Sequence, residues 1–271
     1  MKQAATNRGG RNGFTLVEVL IAMAAVGVIA TVMFALLNFG MTLFAKNVAV
    51  NMAHQEARNG MMRVVRDLHR AASIPQLVDA TLNPIAPGGA TAGISFQVVA
   101  KGPFRIANDP ASPSLIQLET PGVEPEVGDR LIVFDYDVEA DIIKVSAKGA
   151  GSNHWNVFLK DGNEKRIQTD SKSFAVCYIM QRVAYVVRDG ELRCYPNVTA
   201  RPEAYHVIAH NITSPTPFSI PPNATGTPDT RYTSVNITAM DPTYSNRGYK
   251  NTGMQLVDAR VPYRCQMTKY Q

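Results

Sequence analysis

The chain has 271 residues, 45% hydrophobic and 18% charged, with a formal net charge of +5. That length holds one large globular domain, or a modest domain with appendages, and can bury a real core. Three of the five surplus positive charges are Lys2, Arg8 and Arg11, inside an acid-free stretch of thirteen residues, and the remaining +2 argues against the clustered basic face of a nucleic-acid binder.

In chain order, the first informative segment is "RNGFTLVEVLIAMAAVGVIATVMFALL", residues 11–37. Between Val19 and Leu37 only Thr31 interrupts the apolar run, which is about the length of a transmembrane helix. A cleaved secretory signal has an apolar region of roughly 7–15 residues followed by a small-residue site. This run is longer and has no clear break after it. The basic residues ahead of it predict a cytoplasmic leader, with the rest of the chain exported. Glu18 abuts the run, and a carboxylate at the hydrocarbon edge costs about 2.5–3.5 kcal/mol on insertion scales, so a partner is expected for it.

Gly13 followed by "FTLVEVLIAM" resembles the cleavage and methylation segment of type IV prepilins and of the pseudopilins of type II secretion systems. The resemblance covers about residues 1–40. It implies a leader over 1–13, cleavage between Gly13 and Phe14 by a prepilin peptidase, N-methylation of Phe14, and a transmembrane and polymerisation helix over 14–40. Gly13 suits a protease that must approach the backbone closely, having no Cβ. The resemblance also implies a partner for Glu18: the new amine on Phe14 of a neighbouring subunit. Opposite charges in a poorly solvated site attract by several kcal/mol, enough to fix axial register while apolar surfaces supply most of the affinity.

Beyond Leu37 the pattern turns amphipathic. Ala57, Met61, Val64, Val65, Leu68, Ala71 and Ala72 recur at three and four residues, with Arg58, Arg63, Arg66, Asp67 and Arg70 on the other face. This predicts a helix over 41–74 that packs on a head domain, ended by Ser73-Ile74-Pro75. Gly27, Asn38 and Gly40 are points where the helix can bend. Ala35 stands where many major pilins carry a kinking proline, which suits a minor subunit or a pseudopilin.

Residues 75–271 read as a β-rich head. "GISFQVVA", "SLIQLE", "DRLIVFDYDVEADIIKVSA", "NVFLK", "FAVCYIM", "RVAYVVRDGELRCY", "EAYHVIA" and "MQLVDARVPYRC" are short runs rich in Val, Ile, Phe and Tyr, divided by Gly, Pro, Asn and Asp. Asp189-Gly190 is a favoured two-residue hairpin turn. A long helix followed by many strands predicts the α+β class, an antiparallel sheet packed on the helix. The hairpin with its flanks, "QRVAYVVRDGELR", resembles the strand pair common in PilW-type minor pilins and GspJ-type minor pseudopilins. The Pro- and Thr-rich segment Ser214 to Thr230 reads as a long exposed loop.

No nucleophile motif, phosphate loop or paired catalytic carboxylate is recognisable, so neither enzymatic activity nor a cofactor is expected. Asp135, Asp137, Glu139 and Asp141 alternate along "DYDVEAD", on one face if extended or around a turn if folded back, and are weak calcium candidates; a solvated acidic face is favoured. His206 and His210 in a strand lie some 13 Å apart at 3.3 Å per residue, too far to share a ligand. Cys177, Cys194 and Cys265 are disulfide candidates; Cys177 and Cys194 are nearest in sequence, with all three pairings open. Asn197, Asn211, Asn223 and Asn236 each begin an Asn-x-Ser/Thr pattern, read here as Thr- and Asn-rich loop sequence.

The expectation is a structural subunit, a minor type IV pilin of PilW-like type. The resemblance implies an inner-membrane protein with one span and a periplasmic head, carried to the pilus after assembly. Its partners would be prepilin peptidase, other minor and major pilins and the inner-membrane assembly platform. The alternatives are a GspJ-like minor pseudopilin of type II secretion and a membrane-anchored binding protein that never polymerises. Adhesion, motility, DNA uptake and secretion are all compatible with these residues.

Overall fold

The computed structural model describes residues 15–112, 115–120, 124–133, 138–147, 154–160, 176–222, 224–230, 232–240 and 255–262. The chain divides into two units, Met1–Val48 and Ala49–Gln271. Among the described residues one helix, α1, runs Leu16–Leu68. In the first unit its residues are almost all exposed, and the large apolar side chains from Leu16 to Val48 meet no core. The helix is unbroken at Gly27, Asn38 and Gly40. Thr31 and Thr42 donate their hydroxyls to the carbonyls of Gly27 and Asn38, each at 2.8 Å, so the polar groups in this apolar run are satisfied within the helix.

In the second unit the helix buries Ala49, Ala53, Ala57, Gly60, Met61, Val64 and Leu68, a stripe at three- and four-residue spacing. It ends at Leu68, earlier than Ser73. Ala71 bridges to Val98, and the Ala72 amide donates to the Gln97 carbonyl at 2.7 Å, so the chain is captured by a strand before Pro75 can stop it. Asp67, expected on the solvent face, has its carboxylate turned inward to the Tyr185 hydroxyl.

The strands are β1 Gln76–Val78, β2 Ala90–Thr91, β3 Gly93–Ser112, β4 Leu115–Glu119, β5 Arg130–Val133, β6 Val138–Ala147, β7 His154–Leu159, β8 Val176–Arg188, β9 Glu191–Tyr195, β10 His206–Ala209, β11 Phe218–Ser219, β12 Tyr232–Ala239 and β13 Gln255–Pro262. Every pairing is antiparallel. The α+β reading, a long apolar N-terminal helix with an antiparallel head, is borne out. The larger sheet runs β1-β3-β4-β7-β6-β5-β8-β9-β10, and β3 also pairs with β8. That extra pairing closes β3, β4, β7, β6, β5 and β8 into a barrel, which removes their free edges.

Two cores follow. Phe104, Ile106, Leu118, Leu131, Val133, Ile142, Val157, Leu159, Cys177 and Ile179 draw on all six barrel strands and form the first. The second gathers the buried stripe of α1 with Phe96, Val183 and Tyr185 from β3 and β8, and Phe218, Val235 and Ile237 from the smaller sheet β13-β12-β11-β2. A fully buried Val, Leu, Ile or Phe contributes about 1.5–3 kcal/mol, so each core is a substantial source of stability. β3 and β8 run through both. Register shifts at Val99/Lys101 and Lys101/Phe104 bend β3 between them.

Two readings are corrected. The segment from Ser214 to Thr230 is not wholly an exposed loop, because Phe218 is fully buried and pairs with β12 and β2. β12 was not expected as a strand, although Thr233, Val235, Ile237 and Ala239 alternate in burial with their neighbours. The Asp189-Gly190 turn is as expected: φ is 55° and 75°, the positive pair of a type I′ hairpin turn, and Arg188 faces Glu191 across it.

Candidate functional site

Gly13 and Phe14 lie outside the described residues, which begin at Thr15. Thr15 is the N-cap of α1: its carbonyl accepts the Val19 amide at 3.2 Å. Its hydroxyl oxygen accepts the Glu18 amide at 3.3 Å, and its own amide and hydroxyl donate to Glu18 Oε2 at 2.9 and 3.0 Å. This reciprocal pair is a capping box, which satisfies otherwise unpaired amides at the helix start. Its signature, Thr-x-x-Glu before an apolar run, stands in the sequence; reading Glu18 only for an intermolecular partner overlooked it.

The box sets the chemistry available to Glu18. The carboxylate is folded back onto the helix N-terminus, where the helix dipole favours negative charge. Among the described residues only Oε2 is engaged, leaving Oε1 for a cation from outside. Behind it lies one helix long and apolar enough to cross a membrane, none of its most apolar window buried.

The remaining expected residues do not converge. Cys177 and Cys194 are buried free thiols. Cys194 faces Tyr185 across β8 and β9, eight residues along β8 from Cys177, or about 26 Å at 3.3 Å per residue. The pair nearest in sequence is therefore not joined. Burial pushes the Cys177 thiol up to about 12, which makes it an inert core residue. Cys265 lies outside the described residues.

β5 and β6 pair antiparallel, and the described part of "DYDVEAD", residues 138–141, lies within β6. Asp135 and Asp137 lie outside the described residues, as does the side chain of Glu139; Asp141 is exposed on β6, facing Arg130. Among the described residues, no three of His, Cys, Asp and Glu group as metal ligands. His210 is tied elsewhere: its amide donates to Glu56 Oε2 at 2.8 Å and its ring lies 3.6 Å from Glu191.

One charged cluster was not foreseen. Asp129 is fully buried; Oδ1 accepts from Gln181 at 3.0 Å and Asn197 at 2.7 Å, and Oδ2 accepts the Glu126 amide at 3.0 Å. The Lys101 ammonium stands 3.8 Å from Oδ2 and donates to the Glu124 carbonyl at 2.6 Å. The cluster ties β3, the loop before β5, β8 and the loop after β9 together. Desolvation raises the pKa of Asp129, and its hydrogen bonds and Lys101 oppose that rise. Asn197, one of the Asn-x-Thr positions, is a buried donor in this cluster.

Comparison with known proteins finds the prokaryotic N-terminal methylation motif at residues 8–34. Neither the curated proteins nor the solved structures give a match to the chain. The motif supports a precursor of type IV pilin or pseudopilin kind, processed by prepilin peptidase, and the apolar helix supports anchoring in a membrane.

Proposed function

We propose that the protein is a minor type IV pilin of PilW-like type, a structural subunit rather than an enzyme. The observation that carries this is the methylation motif over residues 8–34, joined to a Glu18 capped by Thr15 at the start of an unburied apolar helix. Before assembly the helix is held in the inner membrane, with the head on the periplasmic side. Cleavage after Gly13 frees the amine of Phe14, and a neighbour's amine meets Glu18 as the subunit enters the filament. A head-to-tail contact repeated by an open screw operation makes a fibre. The "RVAYVVRDGELR" hairpin, at β8 and β9, supports the PilW-like branch by its resemblance alone.

The test is intact mass and N-terminal sequence of the membrane-extracted protein, from cells with and without prepilin peptidase, together with its abundance in sheared filaments. The expected mature chain starts at a methylated Phe14. Glu18→Gln is expected to be cleaved normally yet to enter filaments at least about tenfold less, because an unpaired charge in a poorly solvated contact costs several kcal/mol. An uncut chain starting at Met1 in peptidase-positive cells overturns the reading. Recovery only with a secretion apparatus, and never in pili, transfers the protein to the pseudopilins.

A further inference from the structure

Between Ala49 and Arg70 the chain carries four arginines and two acids, Glu56 and Asp67. Folding draws both acids onto the head: Glu56 Oε2 accepts the His210 amide at 2.8 Å, and Asp67 accepts the Tyr185 hydroxyl. The arginines stay in solvent. Arg58, Arg63, Arg66 and Arg70 are all exposed, and so is Met62 among them, at 51%. We infer that this face of α1 is a docking surface for a carboxylate-bearing α-helix of a different subunit, with Met62 packed between the ion pairs. The inference rests on the reading above only in taking that partner to be another filament subunit.

The spacing fits a helix. Arg58, Met62, Arg66 and Arg70 stand four residues apart, so they form one row along α1, about 18 Å long at 1.5 Å per residue. Arg70 sits in the closing turn, where the His69 amide still reaches the Val65 carbonyl at 2.9 Å. The stripe that includes Ala53, Ala57 and Met61 is buried against the head, so a partner on the exposed row leaves the core undisturbed. A straight row of this kind matches a second helix lying alongside, whose side chains also recur at three and four residues.

The charge selects the partner. Residues 58–70 carry +3 with His69 neutral, four arginines against Asp67. That carboxylate is already shared, 3.3 Å from Arg63, 3.4 Å from Arg66 and bonded to Tyr185. Among the described residues neither Arg58 nor Arg70 has an ion-pair partner. Solvated helix faces ordinarily interleave both signs, and this one does not. A second copy laid parallel alongside would set arginine against arginine, and such like-charge contacts are destabilising. A helix bearing carboxylates is favoured instead, and methionine and arginine are both enriched at protein interfaces.

The experiment is fluorescence anisotropy on the full-length chain in nanodiscs of zwitterionic lipid, at low ionic strength, where screening is weakest. The probe is a labelled helical peptide with Glu at four-residue spacing around a central Leu; its all-Gln twin and a DNA duplex of matching length are the other arms. Saturable binding of the Glu peptide is expected, with a Kd below about 1 mM. Arg58→Glu and, independently, Arg70→Glu should each weaken it about three- to thirtyfold, from loss of an exposed pair and added repulsion. Arg188→Glu makes the same change in net charge at the end of β8 and should leave the affinity unchanged. The inference is overturned by absence of saturation, by equal binding of the Gln peptide, by an equal loss in Arg188→Glu, or by DNA binding as tight as the Glu peptide. Because the chain is unassembled in this titration, its failure leaves the N-terminal processing test standing, and an uncut N-terminus leaves this one standing.

Discussion

Tyr185 shows how single residues hold the head together. Its ring is fully buried beneath α1, and its hydroxyl donates to Asp67, which Arg63 also contacts at 3.3 Å. Burial and the neighbouring carboxylate push the phenol far above its usual range, so it remains a neutral donor. Tyr185→Phe removes the donor but leaves Asp67 its arginine, and a loss of about 1–2 kcal/mol is expected in the denaturant midpoint of unfolding. Asp129 makes a pH prediction. Its carboxyl is raised by burial, so the native head holds a proton at pH values where the unfolded chain has lost it. The stability it contributes is full below the unfolded value of about 3.9 and is lost as pH rises through the native one. Thermal melts from about pH 3 to 7 should therefore show wild-type stability falling relative to Asp129→Asn. A relative rise would mean that the hydrogen bonds and Lys101 outweigh burial.

At the scale of elements, the bend in β3 decides the architecture. Gly102 sits at the bend with φ +123°, and a Cβ there would lie 3.0 Å from the Tyr178 ring and 3.2 Å from the Cys177 carbonyl. Only glycine takes that backbone conformation so close to β8. Gly102→Ala is expected to cost about 1–3 kcal/mol and to loosen the barrel seam. Hydrogen exchange should then quicken at residues 176–179 more than at residues 183–187 of the same strand. Gly89→Ala, with open space around its Cβ and no left-handed φ, should shift the same measurement little.

At the scale of the molecule, the chain has two different relations to solvent. Residues 16–48 expose large apolar side chains on every face of the helix, whereas from Ala49 onward one stripe is buried by the head. An exposed apolar surface of this extent needs lipid, detergent or partner helices to cover it. A chain starting at Ala49 keeps both cores and should be monomeric without detergent, unfolding in one cooperative transition because β3 and β8 run through both cores. Size-exclusion chromatography and calorimetry check this. Aggregation of the truncated chain, or two separate transitions, would show that the first unit is needed by the head or that the cores are uncoupled.

The membrane segment, the methylation motif and the amphipathic stripe were legible along the chain because each is written in residues at most a few positions apart. A 19-residue apolar run, Gly13-Phe14 before Glu18, and the three-and-four spacing from Ala57 to Leu68 need no partner to be read. The Asp189-Gly190 hairpin was legible for the same reason, since its turn residues dictate its geometry. Closure of the barrel was not. Gly102-Pro103 looks like the end of a strand, yet β3 continues to Ser112 because β4 and β8 flank it. The inward turn of Asp67 and the burial of Phe218 likewise depend on strands far away in sequence. Alternation tells which side chains share a face, but the partner of that face is set by pairing energies and packing across the whole head.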